Sequence, residues 1–161
     1  MPTQHHSTGP CNAKFGVANS EAELGFTADG AQVDYLIKTI DVPSDDFGGA
    51  SGGPSDVQIV GCEANVSLDL TKFDKANCEA AMSGVGGTAG VVPELGSFMR
   101  QDGKAGQLFL DGVADDYKFP VAYVTRGGIN KGTRFSTFRL QFRCLMDAAT
   151  TRKFLEIINA P

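Results

Sequence analysis

The chain has no tryptophan, only two histidines, and no long hydrophobic run in its 161 residues. Each shortage excludes something. The apolar stretches fall well short of the ~18–20 residues that a membrane-spanning helix needs, so no membrane insertion is expected. The N-terminus, Met-Pro-Thr-Gln-His-His-Ser-Thr-Gly-Pro, is polar and carries no apolar signal core, which points to synthesis and folding in a cytoplasm. His5 and His6 are neighbours in that polar tail. A catalytic or metal-binding histidine needs partners held in fixed geometry, and nothing near residue 5 offers them. The four cysteines, at positions 11, 62, 78 and 144, lack the close spacing of a zinc or redox motif.

Other chemical signatures are equally thin. Gly84-Val-Gly86-Gly-Thr-Ala89 fits G-x-G-x-x-A in form. It follows a helix-like segment, however, whereas a phosphate cradle needs a strand, a turn and then a helix. Gly103-Lys104 lacks Walker spacing, and the sequon Asn65-Val-Ser67 carries no weight without a secretory signal. Asp45-Asp46 and Asp115-Asp116 sit in turn-like sequence, where aspartate is common as solvated charge. No nucleophile–base pair emerges. The reading is therefore of a protein without catalysis, cofactor or metal.

What is present favours β-structure. Hydrophobic residues make up 42% and charged residues 20%, enough apolar content for a folded core. Twenty glycines lie between short apolar runs, the pattern of an all-β chain with many turns. The length suits one domain: a flexible N-terminal arm over 1–10, then a single β domain over 11–161.

The stretch Ala31–Leu70 is the most informative. Ala31 to about Val42 and Val57–Leu70 read as long strands around a glycine-rich acidic loop, residues 44–56. In the second strand Val60, Cys62, Ala64, Val66, Leu68 and Leu70 share one face, and Ile59, Gly61, Glu63, Asn65, Ser67 and Asp69 share the other. Such period-two alternation marks a half-buried strand. Its length exceeds the usual five or six residues, more than one small domain needs but suited to a shared sheet. Cys62 and Cys144 lie in phase with apolar faces and read as core.

Shorter strands are expected at Cys11–Val17, Glu23–Thr27 and Gln107–Val113. Thr71-Lys-Phe-Asp74 resembles a capping box, and Asp74–Met82 reads as a short helix stopped by Ser83-Gly84. Asp115-Asp116 reads as a turn, Phe119–Thr125 as a strand with Pro120 at an edge or a start, and Arg126–Gly132 as a flexible turn. Phe135–Met146 alternates again: Phe138, Leu140, Phe142 and Cys144 on one face, Thr137, Arg139, Gln141 and Arg143 on the other. The basic stretch Arg126–Arg143 could grip phosphates, but Phe138 and Phe142 fall on the apolar face, so core packing explains them better. Lys153–Ile158 reads as a last strand, or a short helix.

Charge is uneven along the chain. Residues 1–117 carry 6 basic and 17 acidic side chains, whereas residues 118–161 carry 8 and 2. Either the fold mixes the two halves into a neutral surface, or copies meet acidic face to basic face.

The order of these features resembles the phage tail tube proteins, a group that includes contractile-injection tubes and the secreted tube of type VI systems. The likeness covers nearly the whole chain. It rests on the two long strands around a loop, the helix at Asp74–Met82, Phe119-Pro-Val-Ala122, the run Phe138-Arg-Leu-Gln-Phe-Arg-Cys-Leu-Met-Asp147, and Lys153-Phe-Leu. The resemblance implies a β-sandwich or barrel with one short flanking helix. It implies a virion structural protein whose six-membered rings stack into a hollow tail tube, with a long hairpin contributing to a shared inner barrel. Phage DNA would pass through the lumen without specific binding. The partners implied are further copies of the chain, together with tail sheath, tape-measure, baseplate and tail terminator proteins. The extra cysteines and the glycine-rich segment 84–96 depart from the family pattern.

By position, loop residues Asp45, Asp46, Phe47, Gly48, Gly49, Gly52 and Gly53 would reach a neighbouring subunit, with Phe47 as apolar anchor. Arg139 and Arg143 are expected to meet carboxylates of their own or a neighbouring subunit rather than DNA. Cys11 follows a mobile tail and Cys78 lies on a helix read as exposed. An inter-subunit Cys11–Cys78 disulfide in the virion is therefore considered beside four free thiols. The competing functional class is a small β-barrel module binding an apolar ligand.

Overall fold

A computed structural model of the chain describes residues 9–42, 56–91, 95–112, 115–146, 153 and 155–159. The loop residues Asp45, Asp46, Phe47, Gly48, Gly49, Gly52 and Gly53, and arm residues 1–8 with both histidines, lie outside the described residues.

The period-two segments become strands: β1 (Cys11–Val17), β2 (Ser20–Thr27), β3 (Ala31–Val42), β4 (Asp56–Leu70), β5 (Lys72–Phe73), β6 (Gly106–Gly112), β7 (Asp115–Lys131), β8 (Ser136–Leu145) and β9 (Glu156–Asn159), with one helix, α1 (Lys75–Met82). They form a single sheet in the order β3-β4-β8-β7-β6-β1-β2-β5, with β9 pairing on β7. Every pairing is antiparallel.

The sheet folds back on itself around one core. Phe15 of β1 packs against Phe142 of β8 in a tilted contact, ring centroids 5.3 Å apart, and Phe73 of β5 against Phe138 of β8 at 5.5 Å. Between these layers lie Leu24, Val66, Leu68, Leu70, Leu108, Leu110, Phe119 and Leu140. The fold is thus mainly β, sandwich- or barrel-like, with one short flanking helix.

Among the boundaries that differ from the sequence reading, three have a clear physical reason. Asp74 is the N-cap of α1 rather than a residue of its first turn: its side chain accepts from the Asn77 amide at 3.1 Å. Asp115-Asp116 opens β7 instead of forming a turn, because both residues pair with β9. The Arg126–Gly132 segment continues β7 as far as Lys131, and the chain reverses only where the Gly132 amide bonds to the Phe135 carbonyl. Gly127 belongs in that strand because a Cβ there would sit 2.5 Å from Met82 Sδ and 3.0 Å from Leu140 Cδ2. The glycine lets α1 lie close on β7. Pro120 falls inside β7, next to the irregularity in the β6–β7 ladder and before β8 pairing begins at Val121. There its missing amide donor disturbs little.

Candidate assembly surface

The four strands β3-β4-β8-β7 make a panel with two chemically distinct faces. Facing residues in register share a face. Toward the core lie Val33 and Val66, Leu68 and Leu140, and Phe142 and Val124. The opposite face carries polar rungs, such as Tyr123–Arg143–Asn65–Asp34 and Arg126–Gln141–Ser67–Gln32, together with the exposed apolar Leu36 and Ile40 farther along β3.

The panel is uneven in length. β8 pairs with β4 only from Ala64 to Leu70, while β3 stays paired with β4 out to Val42. Beyond Ala64 the hairpin is a two-stranded ribbon with no third strand among the described residues. It runs for roughly 25 Å at about 3.3 Å per residue. Inside the subunit the apolar face is sealed; Ala64 and Val66 are 0% exposed. The same face then continues into the ribbon through Tyr35, Ile37, Cys62, Ile59 and Val57, and there it is open to solvent: Ile37 is 58% and Ile59 64% exposed. A β-bulge near Lys38 and Thr39 shifts the β4 register by one residue. The bulge keeps Ile59 and Val57 opposite the core-side residues Thr39 and Asp41, and takes Val60 out of the simple alternation.

A two-stranded ribbon is marginal alone in water. Exposed, contiguous apolar area on a sheet edge marks an interaction surface. β3 is the edge strand of the whole sheet. The other side of the panel ends in a second bare edge: β6 pairs with β7 only up to Ala122, and beyond it no described strand flanks β7 on that side through Lys131.

On the polar face, basic and acidic side chains of the same chain meet. Arg139 grips Asp69 with two bonds, Nε to Oδ1 at 2.7 Å and a terminal nitrogen to Oδ2 at 3.1 Å. Glu63 accepts from both Arg143 and Lys38. The hydrogen bond from Lys38 holds the Glu63 carboxyl below its ordinary range; the charge of Arg143 adds to this, against partial desolvation. The acidic strand β4 thus lies between β3 and the basic strand β8, and the charge halves of the sequence mix on this face. Alternation had already placed Glu63 and Asp69 opposite the core; the β4–β8 register, unreadable in the sequence, brings them to the arginines.

The cysteines are distributed differently from the sequence reading. Cys62, expected in the core, is exposed, because β4 has left β8 by that point. Cys78, expected on an exposed helix face, is fully buried, and its thiol donates to the Leu24 carbonyl at 3.4 Å. Cys11 and Cys144 are buried too. Burial pushes the thiols up, Cys11 to about 11 and Cys78 and Cys144 to about 12; nearby carboxylates add to the shift at Cys11 and Cys78. A bond from Cys11 or Cys78 to a neighbour would require that thiol to leave the core.

A cavity of about 410 Å³ opens at the root of β3, lined in part by Cys11, Val33, Tyr35, Leu110, Tyr117 and Leu155. Among the described residues no group of three His, Cys, Asp or Glu is placed to hold a metal ion.

The fold is similar to that of a chain in a solved tail. The chain is similar to a chain in the tail of an empty gene transfer agent particle refined with C6 helical symmetry, at 12% identity over 94% of this chain and 96% of that one, with a TM-score of 0.50. It is also similar to a chain in the virion of a native gene transfer agent particle, at 12% identity over 92% and 95%, with a TM-score of 0.49. At such identity the likeness is one of fold. No family model and no curated protein matches the sequence.

Proposed function

We propose that the chain is a structural subunit of a phage-like tail, polymerising as six-membered rings that stack into a hollow tube for DNA. The observation that carries this reading is the β3–β4 ribbon, whose core-side face still presents Tyr35, Ile37, Ile59 and Val57 after its own subunit has stopped covering it. A second copy is the natural cover, because it supplies the same kind of surface at the same stoichiometry. Strand direction supports closure. β3 and β7, the two bare edges of the panel, run antiparallel to each other through the intervening strands. Joining β7 of one copy to β3 of the next therefore continues an antiparallel sheet, and a closed ring leaves no edge.

In this reading the polar face lines the channel. Lys38, Arg139 and Arg143 already have carboxylate partners there, so they offer few free cations to DNA phosphates. Phosphate contacts would otherwise add affinity through counterion release and hold the DNA back. Loop residues 45–53, with Phe47 as anchor, would reach the adjacent subunit or ring.

Sedimentation over a concentration series tests the assignment. The native chain should shift from monomer to rings and larger polymers. The double variant Ile37→Asp with Ile59→Asp should stay folded and monomeric. Polymerisation of that variant at native concentrations would remove the basis of the reading.

The cavity at the root of β3 supports a second reading, a small β-barrel module for an apolar ligand. Its volume falls in the range of small-molecule sites, about 300–1,000 Å³. Under that reading the monomer binds hydrophobic dyes and Tyr117→Trp, which narrows the cavity, abolishes binding.

A further inference from the structure

On the polar face of the panel, each bare edge carries one exposed charge that lacks an opposite partner. On the β7 edge it is Arg126, which forms no ion pair among the described residues. Its in-register neighbour on β8 is the neutral Gln141. On the β3 edge it is Asp34, whose carboxylate receives, among the described residues, only the side-chain amide of Gln32, at 3.2 and 3.1 Å. The other charge on that face of β3, Lys38, is taken by Glu63. Within one subunit Arg126 and Asp34 sit at opposite edges, separated by β8 and β4.

We infer that the seam between neighbouring copies is registered by an ion pair between Arg126 of one copy and Asp34 of the next. This rests on the ring reading above and adds to it which charges meet and what fixes the register. A seam that joins β7 to β3 in one continuous sheet keeps polar face with polar face, so both side chains project on the same side. Charges directly opposite on adjacent strands attract when unlike and destabilise when alike. Asp34 and Lys38 are four residues apart, about 13 Å along the strand. A register with Arg126 at Asp34 gains the pair and holds Arg126 clear of Lys38. A slip of four residues would instead set Arg126 against Lys38. The arrangement therefore favours one register and penalises another, which a bare apolar ribbon with period-two packing would not do.

Charge reversal in the full chain is the test. Asp34→Arg alone and Arg126→Asp alone should each raise the concentration needed for ring formation by roughly tenfold or more, since every seam then opposes like charges. The double variant, Asp34→Arg with Arg126→Asp, should return to within about threefold of the native chain. Single variants that assemble as the native chain does, or a double variant as defective as either single one, would overturn the pairing while leaving the ring reading standing. A native chain that forms no rings at any concentration would overturn both. If a reversal variant fails to fold, a milder pair decides: Asp34→Cys with Arg126→Cys in a Cys62→Ser background. Oxidation should give a ladder of multimers ending at the closed ring, and exclusive recovery of monomer would count against the seam.

Discussion

Thiol chemistry separates the four cysteines residue by residue. The three buried thiols have raised pKa values, so they hold little thiolate near neutral pH. Cys62 alone is exposed. A thiol reagent should therefore modify one site in the dispersed native subunit and four after unfolding, and Cys62→Ser should eliminate the fast reaction. Packing is as local at Gly25. Its φ is +148°, and a Cβ there would meet Lys72 O at 2.2 Å and Phe73 Cα at 2.6 Å. These are backbone atoms of β5 that cannot move aside, so Gly25→Ala should cost about 2–4 kcal/mol, read as a lowered denaturant midpoint. Glu63 gives the pH dependence. Its folded-state carboxyl titrates below its ordinary value of 4.5. Its contribution is thus full above that value and is lost as pH falls through the lower folded-state value. Thermal melts across an acid series should show this loss, and Glu63→Gln should flatten it.

At the scale of elements, the ribbon divides stability from assembly. Ile37 and Ile59 touch solvent in the single subunit, so Ile37→Asp or Ile59→Asp should change folding stability by no more than about 0.5 kcal/mol while suppressing polymerisation. Equal unfolding midpoints with unequal sedimentation would check this directly. The elements also show what a sequence can carry. The alternation in β4 and β8 named the buried faces, and Val66, Leu68, Phe138, Leu140 and Phe142 are all in the core. It could not show where that burial stops, because Cys62 and Val60 continue the apolar phase after β8 has ended. Arg126–Gly132 read as a turn because glycine pairs usually punctuate. Here Gly127 serves the close approach of Met82, a tertiary demand invisible along the chain. Asp74 had the right chemistry for a cap and was displaced by one role, from inside the first turn to its start.

For the whole molecule, strand order decides how charge is used. The acidic first part and the basic last part of the chain stand far apart in sequence, but β4 and β8 are neighbours in the sheet. Arg139–Asp69 and Arg143–Glu63 pair two of the eight basic side chains of the last part with carboxylates of the first part inside the subunit. What the proposed assembly leaves for contact between copies is the apolar ribbon, with Arg126 on the β7 edge and Asp34 on the β3 edge of each panel. Ring assembly should therefore depend only modestly on salt, through the seam pairs, whose exposed charges are screened beyond about 10 Å at 0.1 M ionic strength. The central claim, that the ribbon's apolar face is covered by a second copy, is tested most directly by electron imaging of the purified chain. The account predicts closed rings with six-fold class averages that stack into hollow tubes as concentration rises. A field of uniform monomers at every concentration, with the ribbon still reactive at Cys62, would contradict it.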